Sequence, residues 1–180
     1  CNSHTMLKPL ALLILILSTI QPNNGENSLE KTCNQTPNKT LCIQYLESSP
    51  RSPNADVHEF ALIMFNIMRD KATTTIIKID KLLAGNNFRP GTREYKSLEI
   101  CATIYKEIAT SNARRALETL PAGDPEAAID AANDVVRKAN QCEDNFVGRI
   151  SKDMRTPVTD DNKDMENVAT ISAAIAELLR

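Results

Sequence analysis

Residues 98–146 read LEICATIYKEIATSNARRALETLPAGDPEAAIDAANDVVRKANQCEDNF, two amphipathic runs around a short interruption. Before the interruption, Leu98, Cys101, Ala102, Tyr105, Ile108, Ala109, Ala116 and Leu120 keep the three/four spacing of one helix face. After it, Ile129, Ala132, Val135, Val136, Ala139, Cys142 and Phe146 do the same. The interruption itself, LPAGDPE at 120–126, is punctuated at both ends. Gly123 ends one helix, Asp124 has the side chain to cap the next, and Pro125 takes its first position, where a missing N–H costs nothing. The reading is a pair of antiparallel helices. Cys101 and Cys142 lie equally far from the middle of the turn and on inward faces, so they are expected to meet across the hairpin.

Whether those thiols are oxidised depends on compartment. Met6 and Lys8, the apolar run Leu10 to Ile20 (LALLILILSTI) and the polar break QPNNG have the charged start, greasy middle and polar end of a secretory signal peptide. Cleavage is expected near Gly25. The run is shorter than the ~20 apolar residues that span a bilayer, so no membrane attachment is expected after cleavage. CNSHT precedes Met6, which sets Cys1 and His4 aside with the leader. Export leaves Cys33, Cys42, Cys101 and Cys142, an even set in an oxidising compartment. With Cys101 assigned to Cys142, Cys33 is left for Cys42. The stretch between them, TCNQTPNKTLC at 32–42, places Thr36-Pro37-Asn38 as a reversal between two short helical pieces. In the chain-entropy picture the small loop contributes about 2.7 kcal/mol and the large one about 4 kcal/mol. Asn34 and Asn38 each begin an Asn-x-Thr triplet in this exposed turn and are candidate N-glycosylation sites.

The remainder continues in the same style. After SSPRSP, where Ser52 and Pro53 read as helix-start signals, a stripe from Val57 through Phe60, Met64, Met68, Ala72, Ile76 and Ile79 to Leu83 holds one helical face for more than seven turns. Thr73-Thr74-Thr75-Ile76-Ile77 has strand propensity, but the phase of the stripe carries through it, and a helix is expected up to Gly85. A last helix is expected from about Asp160 to Leu179. The fold class is therefore all-α: an up-down-up-down four-helix bundle with an N-terminal disulfide-closed α-hairpin. Residues 1–25 form the leader and what precedes it. Residues 26–180 form a single domain, with the hairpin in 26–50 and the bundle in 52–180.

Catalytic equipment is missing. Outside the leader the one histidine is His58, read as solvated helix surface, and a lone histidine with committed cysteines makes no metal cluster. There is no nucleophile elbow, phosphate loop or dinucleotide fingerprint. Asp160-x-Asn162-x-Asp164 begins like a calcium loop, yet Met165 stands where that loop needs glycine and Ile171 where it needs glutamate. The arginines and lysines are scattered and the net charge is −2, which gives no footprint for nucleic acid. No cofactor, metal or catalytic residue is assigned. A stapled, exported helical domain without such equipment is most economically a binding protein.

At this point the chain resembles a known family. The ordered series TPN-x-x-L-C, FALIM, C-x-x-x-YK-x-I-x-x-S, ALE-x-L-x-x-GDP, C-E-D-x-F and TPVT-x-x-N-K, with the four cysteine positions, is similar to the plant invertase and pectin methylesterase inhibitors over residues 28–180. The resemblance implies a protein of the cell wall (apoplast) or vacuole that binds a carbohydrate-active enzyme and blocks its active-site cleft. Phe60-Ala61-Leu62-Ile63-Met64, Cys101-Ala102-x-x-Tyr105-Lys106 and Gly123-Asp124-Pro125 look like the invertase-inhibitor side. Invertase inhibitors carry Pro-Lys-Phe after Gly-Asp, and that motif enters the sucrose pocket. Here only Pro125 matches, with Glu126 in place of lysine and Ala127 in place of phenylalanine. The resemblance thus implies acid invertase (beta-fructofuranosidase) as the favoured partner and Asp124, Pro125, Glu126 and Ala127 as the partner-binding residues. The alternative is a pectin methylesterase covered by the helical bundle, for which no short motif marks the residues. A further alternative is an extracellular bundle with no inhibitory role.

Overall fold

A computed structural model describes residues 28–147 and 155–180. The leader assigned to residues 1–25 lies outside the described residues. Helices α1 (Ser28–Cys33) and α2 (Lys39–Glu47) form the N-terminal hairpin. A 3₁₀ turn (Ser52–Asn54) leads to α3 (Val57–Ala84). Then come α4 (Arg93–Glu107), a π turn (Ile108–Asn112), α5 (Ala113–Thr119), α6 (Pro125–Val147) and α7 (Thr159–Glu177). No strand occurs among the described residues. Four arms make the bundle: α3, the composite α4–α5, α6 and α7. Each arm packs on its neighbour in the chain, and α7 closes the square against α3.

The stripe of the long helix is the core face. Phe60, Ile63, Met64, Phe65 and Met68 of α3 are each no more than 1% exposed, as are Leu98 and Tyr105 of α4 and Met165 and Ile171 of α7. Apolar burial on this scale is the main stabilising term, each large side chain contributing about 1.5–3 kcal/mol. The threonine run stays helical because Thr73, Thr74 and Thr75 each turn the hydroxyl back to the carbonyl four residues earlier, at 2.9, 3.0 and 3.0 Å. Strand propensity loses to the buried stripe. Helices α6 and α7 pack extensively on each other, and both bury small residues, Ala128, Ala132 and Ala139 on α6 and Ala169 and Ala176 on α7.

Two local expectations are corrected. Ser52 and Pro53 do not start the long helix; they form the 3₁₀ turn, and Asp56 caps α3 by accepting from the Glu59 N–H at 2.8 Å. Gly85 ends α3 as expected, in extended backbone (φ −80°), with its N–H donating to the Lys81 carbonyl at 3.1 Å. The helix expected to run unbroken from Leu98 to Leu120 contains the π turn, where the Ala113 N–H reaches the Ile108 carbonyl. The extra residue turns Asn112 inward. Its amide donates to the Ala131 carbonyl at 3.3 Å and to Asp134 at 2.8 Å, and its oxygen accepts from Lys138 at 2.9 Å. A buried amide with all these partners satisfies the condition for placing polar groups between helices.

Two covalent staples complete the frame. Cys33 and Cys42 are joined with Cα atoms 5.5 Å apart, and Cys101 and Cys142 with Cα atoms 5.0 Å apart; all four residues are fully buried. The first holds α1 on α2. The second ties α4 to α6 at the end of the hairpin remote from its turn.

Candidate functional site

The turn at 120–126 is built as one rigid unit. Gly123 takes φ +81°, a left-handed conformation that side chains disfavour. Its N–H bonds to the Leu120 carbonyl at 3.0 Å and the Asp124 N–H bonds to the Thr119 carbonyl at 3.0 Å, the two bonds of a Schellman stop. Asp124 then serves the next helix, its Oδ1 accepting from the Ala127 N–H at 3.0 Å. One residue thus closes α5 with its backbone and opens α6 with its side chain. Pro121, Ala122, Gly123, Asp124 and Glu126 are exposed at the tip, and Pro125 is half-buried. Ala127 is not part of that surface: it is 8% exposed and turned into the bundle.

Two residues from distant parts of the chain complete the tip. His58, in the first turn of α3, is half-buried, and its Nε2 lies 3.3 Å from the Leu120 carbonyl oxygen, which can only accept. It braces the end of the α4–α5 arm where solvated surface was expected. Arg180, beyond the end of α7, places Nε 3.1 Å from the Glu126 carboxylate and an NH1 2.7 Å from Glu177. Neither residue lies near the turn in sequence, and no local motif announces either role.

Other polar groups are committed to the frame. The motif residues Glu143, Thr156, Thr159 and Asn162 form one network at the opposite end of α6. Glu143 accepts from Thr156 at 3.1 Å, Thr159 at 2.5 Å and Asn162 at 2.6 Å, and Asn162 accepts from the Tyr105 hydroxyl at 2.8 Å. Burial, and then the charges of Asp161, Asp164 and Glu143, push the Tyr105 phenol far up, so it remains a donor. Asp160, Asn162 and Asp164 do not converge: Asp160 pairs with Arg155 at 2.6 Å, while Asp164 accepts from Tyr45 and Lys71, each at 2.5 Å. Among the described residues no group of three or more His, Cys, Asp or Glu could hold a metal ion.

At Asp134, burial alone would raise the carboxyl. Hydrogen bonds from Asn112 and Lys138 and the Lys138 charge outweigh burial and hold it below the usual carboxylate range. The hairpin turn leaves Asn34 and Asn38 exposed, and Asn38 caps α2 through Oδ1, accepting from the Leu41 N–H at 3.0 Å.

Residues 27–175 match the family model described as plant invertase/pectin methylesterase inhibitor. The chain is 30% identical over 147 residues to the "Cell wall / vacuolar inhibitor of fructosidase 1" of Arabidopsis thaliana, covering 82% of this chain and 66% of that protein's own length. It is 27% identical over 182 residues to a pectinesterase inhibitor of Actinidia deliciosa, covering 98% and 95%. In three dimensions it is similar to a mutant form of a pectin methylesterase inhibitor from Arabidopsis, with a TM-score of 0.68 and 22% identity over 85% of this chain and 97% of that one. That last likeness concerns the fold alone.

Proposed function

The chain belongs to the plant invertase/pectin methylesterase inhibitor family, and from that premise we propose that it is an exported protein inhibitor of an acid invertase, docking through the tip at 120–126. Membership of a family of inhibitor proteins agrees with a chain that is not a catalyst. The observation that carries the reading is the preorganised turn. A loop closed by both Schellman bonds and by the Asp124 cap loses little freedom on docking, so less binding energy is lost to ordering. The fructosidase-inhibitor relative supports this choice of target.

The tip departs from the Pro-Lys-Phe pattern in a way that shifts the contact set. Pro125 and Glu126 remain available with Asp124, whereas Ala127 faces the core and offers no side chain to a partner. Docking through this tip would rest on Pro121, Ala122, Asp124, Pro125 and Glu126. Glu126 is also not a bare charge, since Arg180 sits against it. Delivery to the cell wall or the vacuole, and glycosylation at Asn34 or Asn38, belong to the same proposal. At Asn38 the capping bond uses Oδ1, which leaves Nδ2 to carry a glycan.

A second reading is inhibition of a pectin methylesterase, favoured by the pectinesterase-inhibitor relative that aligns with nearly the whole chain. Titration of the protein against a purified acid invertase and a purified pectin methylesterase, near pH 5 and near pH 7, separates the two. Inhibition of invertase is expected; inhibition of the esterase alone would replace the first reading by the second.

A further inference from the structure

We infer that Arg180 is the residue that sets the charge of the docking tip, and so determines how well the tip is accepted by a cleft lined with carboxylates. The inference rests on the invertase reading and adds to it a residue remote in sequence from the turn. Residues 120–127 and 177–180 hold three carboxylates, Asp124, Glu126 and Glu177, and a single cation, Arg180. The guanidinium lies between two of them, 3.1 Å from Glu126 and 2.7 Å from Glu177. Its planar fork suits two acceptors at once. The one positive charge offsets a single charge of the three, and Asp124, which has no ion pair among the described residues, has one oxygen turned to the Ala127 N–H.

A retaining glycosidase presents a pair of carboxyl groups about 5–5.5 Å apart in its cleft. A tip without Arg180 would bring three uncompensated negative charges to that pair. With Arg180 in place, the half-exposed guanidinium, shared by Glu126 and Glu177, lowers the negative charge at the tip by one and sits against Glu126, the carboxylate within the turn itself. The pair is exposed on both sides, with side chains 53% and 58% accessible, so it adds little to the stability of the free protein. Its effect is expected in encounter and specificity, where charge complementarity acts most strongly.

The test uses Arg180→Ala, Glu126→Gln and the double variant, with inhibition constants and association rates for a purified acid invertase at low and high salt. Arg180→Ala is expected to weaken inhibition about tenfold, mainly through slower association, with the deficit shrinking as salt screens the tip. Adding Glu126→Gln to Arg180→Ala is expected to restore most of the loss. Thermal midpoints should agree across the set. Unchanged inhibition by Arg180→Ala, a loss that Glu126→Gln fails to restore, or a loss that follows a lowered midpoint would each overturn the inference while leaving the target intact. Failure of the natural chain to inhibit any acid invertase would instead reject the target, and the inference with it.

Discussion

The Tyr45 hydroxyl donates to Asp164 Oδ1 at 2.5 Å, joining the N-terminal hairpin to α7 across 119 positions of sequence. Lys71 of α3 meets the other oxygen of the same carboxylate and lies 5.1 Å from the centre of the Tyr45 ring. One carboxylate thus gathers three elements. Hydrogen bonds to charged groups contribute about 1.5–3 kcal/mol, and Lys71 still compensates Asp164 when the phenol is gone. Tyr45→Phe is therefore expected to lower stability by about 1.5 kcal/mol in urea denaturation, with an unchanged slope. An unaltered midpoint would mean that the buried Leu46 and the disulfide hold the hairpin without this bond.

The same tyrosines predict an alkaline limit. Burial first, and then Asp164, raises the Tyr45 phenol well above its ordinary value, and Tyr105 is raised likewise. Above pH ~10 the unfolded chain releases these protons while the folded chain keeps them, so stability falls as pH rises, by about 1.4 kcal/mol per pH unit for each group. Below that pH both forms are protonated and the contribution is complete. Urea midpoints from pH 8 to pH 11 should be flat and then drop. The drop should soften in Tyr105→Phe, once allowance is made for the lost bond to Asn162.

Removal of the two disulfides should separate by loop length. In the chain-entropy model, loss of the Cys101–Cys142 link costs about 4 kcal/mol and loss of the Cys33–Cys42 link about 2.7 kcal/mol, each read from paired Cys→Ala variants. Peptide mapping without reduction should recover residues 101 and 142 in one linked peptide pair. A link from Cys33 to either would contradict the pairing.

Gly123→Ala isolates the backbone of the tip. A Cβ at this position meets nothing within 4 Å, so the cost is conformational, set by φ +81°. That amounts to about 1–2 kcal/mol, a few degrees in thermal midpoint. If the turn relaxes to escape the strain, the Asp124 cap moves with it and invertase inhibition should weaken by more than the loss of stability explains. Equal inhibition by a destabilised variant would show that the geometry of the turn is not what the enzyme reads.

Much of this architecture was legible because it rests on periodicity and on residues with one dominant conformational role. The stripe of α3 outweighed the threonine run, and Gly123, Asp124 and Pro125 stated the turn between α5 and α6. The π turn was not legible: a single extra residue leaves the apolar pattern nearly intact, and only the inward placement of Asn112 against Asp134 and Lys138 shows it. The orientation of Ala127 was missed because the third position of a helix faces in or out according to the entry angle of the turn, which spacing alone does not fix. His58 and Arg180 reach the tip from α3 and from beyond α7, and no local pattern encodes a contact between residues so distant in the chain. The motif residues Glu143, Thr156, Thr159 and Asn162 read as family marks in the sequence; in space they tie the end of α6 to the start of α7.

The most direct measurement of the central claim is hydrogen exchange of the protein alone and with saturating acid invertase near pH 5, read peptide by peptide. Slower exchange in complex is expected for the peptide spanning 119–131 and for the one containing Arg180, with the outer faces of α3 and α4 unaltered. Protection confined to α3 or α4, with the tip peptide exchanging as in the free protein, would contradict docking through the tip.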